Sequence, residues 1–170
     1  EDLMKKVAIV MGSASDKPIA LDAVKTLEEY GVPYVVRVLS AHRTSQEARD
    51  FTLSLEAQDV GAVIALAGMA AHLAGAVAAN TVLPVIGVPV ASGGLGGLDA
   101  LLSTVQMPSG IPVATVAVGG AKNAAILAVQ ILAVSDRNLR DRLTKKRADM
   151  RAAVLQADKE INEALNAREA

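Results

Sequence analysis

Cysteine is absent from this 170-residue chain. That excludes disulfides and thiolate chemistry, and it fits a reducing compartment. Aromatic residues are nearly absent too: one Phe, two Tyr and no Trp. There is therefore no aromatic-and-basic stripe on which bases could stack. A formal net charge of -1 provides no global field to attract nucleic acid or an anionic membrane. Between Val60 and Ala121 the only charged residue is Asp99. Val60 to Ala79 is long enough to span a bilayer, but it breaks at Gly68, carries His72 and is half Ala and Gly. A strand, a loop and a small-residue helix are the better reading. Glu1 to Lys6 is too short and too charged for a signal peptide, and Glu1-Asp2-Leu3 precedes a natural start at Met4. A cytoplasmic location follows from these missing signals.

With 52% hydrophobic residues and almost no aromatics, the core must be built from Val, Ile, Leu and Ala. That suits a parallel sheet covered by helices on both faces. Strand-like runs at Val7 to Met11, Tyr34 to Leu39, Val60 to Leu66, Pro84 to Val88 and Val113 to Val118 alternate with helix-like segments. The helices are expected at Pro18 to Tyr30, Ser45 to about Ala57, Ala71 to Asn80, Leu98 to Gln106 and Asn123 to Val134. Asp16 is a candidate N-cap of the first, with Pro18 in its first turn. Alternation of this kind predicts a three-layer α/β domain with right-handed crossovers, over residues 1–135. Tyr34 to Leu39 reads as a buried strand.

From residue 136 to 170 the composition changes. Nine Lys or Arg and seven Asp or Glu surround a helical stripe of Leu139, Leu143, Met150, Val154, Leu155, Ile161 and Leu165. A helix of about thirty residues is expected there, as an arm of the same domain packing on a neighbouring subunit. The small residues Ala74, Gly75, Ala78 and Ala79 of the third helix would also permit close approach of a neighbour.

Two polar clusters sit at expected strand ends, Gly12-Ser13-Ala14-Ser15-Asp16 and Ser40-Ala41-His42-Arg43-Thr44. In an open parallel sheet such loops meet at one crevice. Histidine gives and takes a proton near neutral pH, so His42 is the candidate acid–base group. Arg43 is a natural fork for phosphate or carboxylate. Ser13 and Ser15 offer hydroxyls beside a helix amino end, a combination that binds phosphate. Asp16 could accept from both hydroxyls of a ribose or simply cap its helix. His72 lies where the third strand hands over to its helix, facing the same crevice or buried as a structural residue. The two histidines are thirty residues apart with no Cys or acidic ligand pattern around them, which makes a metal site unlikely. The stretch Ser92 to Gly97 could cover a ligand. It is not G-x-G-x-x-G, and neither Walker A nor a G-x-S-x-G elbow occurs, so a nicotinamide cofactor and serine hydrolysis are set aside.

Taken together, Met11 to Asp16, Ser40 to Thr44, Ala70-Ala71-His72-Leu73, Pro84 to Val90 and Val105 to Val113 resemble the PurE family, over about residues 5 to 135. The resemblance implies a flavodoxin-like fold, a homo-octamer and a C-terminal helix reaching a neighbouring subunit. Ala70 to Leu73 and Gln106 to Val113 look like the class I enzymes. Those interconvert N5-carboxyaminoimidazole ribonucleotide and 4-carboxy-5-aminoimidazole ribonucleotide without metal, biotin or ATP. His42 then matches the catalytic histidine. Ser13, Asp16 and Arg43 match substrate-binding residues, and Ser15, Ser40, His72, Gly12 and Ala70 join them around the site. Carbon dioxide is the implied transient partner. The alternatives are direct carboxylation of aminoimidazole ribonucleotide, as in class II, and a non-catalytic nucleotide-phosphate binding module. Two residues depart from the family pattern: Met69 stands where Gly is usual, and Ala74 where Pro is usual. A backbone that needs a positive φ there would make Met69 costly.

Overall fold

The computed structural model describes residues 4–169. Glu1-Asp2-Leu3, read above as preceding a natural start at Met4, lies outside them. Five strands form one parallel sheet in the order β2-β1-β3-β4-β5. They are β1 (Lys6–Met11), β2 (Tyr34–Val38), β3 (Val60–Gly68), β4 (Val85–Val90) and β5 (Ala114–Thr115). The helices between them are α1 (Lys17–Glu29), α2 (Ser45–Leu53), α3 (Leu73–Ala78), α4 (Leu98–Val105) and α5 (Ala121–Leu132). This is the doubly wound, flavodoxin-like order, in which the chain reverses direction across the sheet at β1.

Burial explains which runs became strands. β1, β3 and β4 occupy the middle of the sheet, and Val7 to Met11, Ala62 to Leu66 and Val85 to Val90 are buried throughout. Successive side chains alternate between faces. Ala8, Val10, Val63 and Ala65 therefore join Phe51, Leu55, Leu73 and Val77 from the side of α2 and α3 in one cluster. Val7, Ile9, Ile64 and Leu66 point to the other face, and α1 and α5 pack together with α5 against β3 and β4. Fully burying each of these aliphatic side chains stabilises the fold by about 1.5–3 kcal/mol.

The edges depart from expectation. β2 is not a buried strand: it borders the sheet, and Val36 and Val38 are exposed. Its apolar run marks a strand but does not say whether a neighbour covers it. Of Val113 to Val118, only Ala114 and Thr115 pair with β4, through Ile86 and Gly87. Helix α2 stops at Leu53 and gives way to a 3-10 turn, Glu56–Gln58. α3 is shorter than expected, and its small residues Ala74 and Ala78 are buried in the chain's own core. Of the four small residues read as permitting a neighbour's approach, Gly75 is half-buried and Ala79 exposed. Asp16 precedes α1, but its side chain makes no capping hydrogen bond.

The chain divides into two compact units, Glu1–Leu132 and Ala133–Ala170. The second is dominated by α6 (Arg137–Glu169), 33 residues and, at 1.5 Å per residue, about 50 Å long. Its start is capped by Asp136 Oδ1, which accepts from Leu139 N at 3.0 Å. Ion pairs at i,i+4 spacing, Lys145–Asp149 and Lys159–Glu163, run along it. Met150, Val154, Leu155, Ile161 and Leu165 are all exposed. Among the described residues no helix is long and apolar enough to cross a membrane.

Candidate active site

Because the chain reverses at β1, the loops after β1, β2 and β3 leave the sheet side by side at the carboxyl edge. Backbone bonds hold them there. Gly12 N donates to Leu66 O at 3.0 Å, and Leu39 N donates to Met11 O at 2.9 Å. Between the loops lies a cavity of about 530 Å³. Gly12, Ser13, Ser15, Asp16, Ser40, His42, Arg43, Ala70 and His72, every site residue expected from the sequence, line it.

The β1 and β2 loops are tied by hydrogen bonds. Ser13 Oγ accepts from Ser15 Oγ at 2.9 Å and from Ser15 N at 3.3 Å. These bonds shape the 3-10 turn Ala14–Asp16 that leads into α1. Ser40 Oγ accepts from Arg43 N at 3.1 Å, while Thr44 Oγ1 accepts from Ser40 N at 2.8 Å. The two loops are joined directly: Arg43 Nη2 donates to Gly12 O at 3.1 Å. That bond uses one corner of the guanidinium fork, and the other nitrogens can meet an anion. The Asp16 side chain is buried. Burial pushes its carboxyl above its ordinary value, partly offset by hydrogen bonds from Ser13 N and Ser15 Oγ.

The third side is different. Ala67, Gly68, Met69, Ala70, His72 and Leu73 run across the end of β3 as a strap with little polarity. Gly68 has to be glycine. A Cβ there would strike Ser92 Oγ and lie 3.0 Å from Val90 O, so the strap rests against the end of β4. Met69 follows with φ 55, in the left-handed region, and is 62% exposed. Ala71 N then donates to Met69 O at 2.8 Å. The strap brings His72 to His42, with ring centroids 5.4 Å apart and planes tilted by 54°.

Sequence reasoning missed Ala41, Ala67, Gly68, Leu73 and Ser92 as lining residues. Gly68 at the end of an apolar run was the available signal for a close backbone approach. In the sequence Ser92 is legible only as part of a stretch able to cover a ligand.

The arrangement offers an anion fork, hydroxyls at a helix amino end, a buried carboxylate and two adjacent imidazoles, faced by an apolar wall. It suits a phosphorylated, hydroxylated substrate whose reacting part needs proton transfer and shelter from water.

Known proteins resemble this chain in sequence and in fold. The AIR carboxylase family model matches residues 6–153. An N5-carboxyaminoimidazole ribonucleotide mutase from Pyrococcus horikoshii is 50% identical over 157 residues, 92% of this chain and 89% of that protein. One from Mycobacterium leprae is 53% identical over 138 residues, 81% of each. The crystal structure of Treponema denticola PurE superposes with a TM-score of 0.85 at 30% identity, covering 92% of this chain and 98% of that one. Matches in sequence across most of the chain and in the path of the backbone lead to one assignment: the chain belongs to the AIR carboxylase family.

Proposed function

We propose that this protein interconverts N5-carboxyaminoimidazole ribonucleotide and 4-carboxy-5-aminoimidazole ribonucleotide in purine biosynthesis, as an isomerase. The observation that carries the reading is the cavity in which a hydrogen-bonded polar half faces an apolar strap, with His42 of the first meeting His72 of the second. Relatives about half identical over most of the chain bear the mutase name.

In this reading Arg43, Ser13 and Ser15 hold the substrate's phosphate, and Asp16 accepts from its ribose hydroxyls. The C–N bond of the N5-carboxylate breaks, its electron pair stays on N5, and carbon dioxide is freed. His42 gives N5 a proton. C4 of the enamine-like ring attacks the carbon dioxide and forms the C–C bond, and the C4 proton returns to His42. The proton count is zero, so one imidazole serves both transfers. Ser40, Gly12, Ala70 and His72 line the space around the reacting carboxylate. Neither metal nor nucleotide triphosphate enters the balance.

The same reading makes the protein a cytoplasmic homo-oligomer, the octamer of the family, with α6 as an arm on a neighbouring subunit. The exposed Met150, Val154, Ile161 and Leu165 support that role, because a solvated helix has no use for an apolar stripe. Light scattering on the intact chain tests it.

The test of the reaction is conversion of N5-carboxyaminoimidazole ribonucleotide to the C4-carboxylated isomer without ATP or added metal. His42→Asn should lower kcat by about 10²–10⁴ while the ribonucleotide still binds. Turnover only from aminoimidazole ribonucleotide plus bicarbonate would favour direct carboxylation. Binding with no turnover from either substrate would make the chain a binding module.

A further inference from the structure

We propose that Met69 is a retention residue, whose side chain at the cavity mouth keeps the freed carbon dioxide from escaping before C4 captures it. The proposal deepens the mutase reading and rests on it.

The argument begins with the backbone. Among the described residues only Asp59 and Met69 are non-glycine residues with positive φ. Asp59 ends the 3-10 turn Glu56–Gln58, a place where a short polar side chain tolerates the left-handed region. Met69 has neither a short side chain nor a turn-ending role of that kind. Glycine would remove its strain outright. Strained residues persist where the surroundings over-determine them, and they gather at functional sites. Gly68, pressed against Ser92 and Val90, fixes the strap on one side. Ala71, bonded to Met69 O, fixes it on the other. Between these fixed points the Met69 side chain is presented at the rim, lining the cavity yet largely exposed.

The chemistry asks for such a group. Freed carbon dioxide is small and apolar, and its loss to water ends the productive cycle. In the escape route the C–N bond breaks, carbon dioxide enters the medium, and N5 takes a proton that His42 recovers from water. Aminoimidazole ribonucleotide is left behind. The polar half of the cavity offers only Ala41 as apolar cover, whereas Ala67, Ala70 and Leu73 form a low apolar wall that ends at Met69. An unbranched thioether adapts to a changing guest and adds apolar bulk there.

The experiment compares wild type with Met69→Gly, Met69→Ala and Met69→Leu. Each converts N5-carboxyaminoimidazole ribonucleotide in medium containing ¹³C-bicarbonate and carbonic anhydrase. The readout is label in the C4 carboxylate, together with free aminoimidazole ribonucleotide, per product formed. Both should rise severalfold in the Gly and Ala variants and stay near wild type in Met69→Leu. The Ala variant keeps the strained backbone and loses only the side chain, so label uptake equal to wild type there would overturn the proposal. Leakage in Met69→Leu as large as in Met69→Ala would overturn it too, since apolar bulk would not be what retains the gas. Met69→Gly relieves the strain and keeps the fold, so a folded variant without the side chain is available. Failure of the underlying reading looks different: wild type would then form no C4 isomer, or form it carrying the medium's label throughout, and the retention role would fall with it.

Discussion

The two halves of the cavity are held in place by different means. The β1 and β2 loops are fixed by side chains: Ser13 with Ser15, Ser40 with Thr44 and Arg43, and Arg43 with Gly12. The strap after β3 is fixed by backbone and by the absence of side chains, at Gly68 against β4 and at Ala71 on Met69 O. The first half presents donors and charge in a preset geometry, which suits recognition of a phosphate and a ribose. The second presents, apart from His72, methyl groups and one thioether, which suits an apolar intermediate. The difference teaches that, in the mutase reading, phosphate and ribose are recognised by the polar loops, while shelter for the freed carbon comes mainly from the strap.

Substitutions on each side should break that division in different directions. Among the residues that hold the loops, the largest effect is expected for Arg43→Ala, which removes both the anion fork and the bond to Gly12 O. Steady-state kinetics should show KM raised roughly 10- to 100-fold, in line with a lost charged hydrogen bond of about 1.5–3 kcal/mol. On the strap, Gly68→Ala should cost about 1–3 kcal/mol of stability, read from denaturant unfolding, because Val90 O is backbone and cannot swing away. Its KM should change less than that of Arg43→Ala.

Asp16→Asn sharpens the comparison most finely. It should weaken ribonucleotide binding while stabilising the fold. Burial raises the Asp16 pKa above its ordinary value, so the folded chain holds that proton more tightly than the unfolded chain. Ionised Asp16 therefore costs stability at neutral pH. That cost is relieved as pH falls through the raised value toward the ordinary one near 3.8. The stability gained by Asp16→Asn should shrink over the same interval, measured by thermal unfolding from pH 7 downward. A gain that grows on acidification would contradict this sign.

Much of this was legible before the fold was known, and the parts that were not have physical reasons. The central strands announce themselves, because Val60 to Leu66 and Pro84 to Val88 are continuous apolar runs, as strands buried on both faces must be. β2 misled for the same reason: Val35, Val36 and Val38 make an apolar run whether or not a helix covers it. The end of α2 was missed because no Gly or Pro marks Leu53, and the chain tightens into a 3-10 turn instead. The polar loops were readable as two clusters. Their joining through Arg43 and Gly12 was not, since 31 residues separate the partners and only the strand order brings them together. The pairing of His42 with His72 was hidden in the same way. Met69 stood out in the sequence, but its positive φ follows directly on Gly68, which packs against Val90 and Ser92 at and just past the end of β4, a contact no local pattern records.

The most direct test follows the carbon. N5-carboxyaminoimidazole ribonucleotide carrying ¹³C in its N-carboxylate is converted by the wild-type protein in excess unlabelled bicarbonate, and the C4-carboxylated product is read by NMR. If one cavity frees and recaptures the same carbon dioxide, the label stays in the C4 carboxylate. If the label washes into the medium and the product carries unlabelled carbon, the carboxyl group comes from solution, and the mutase account of this site is wrong.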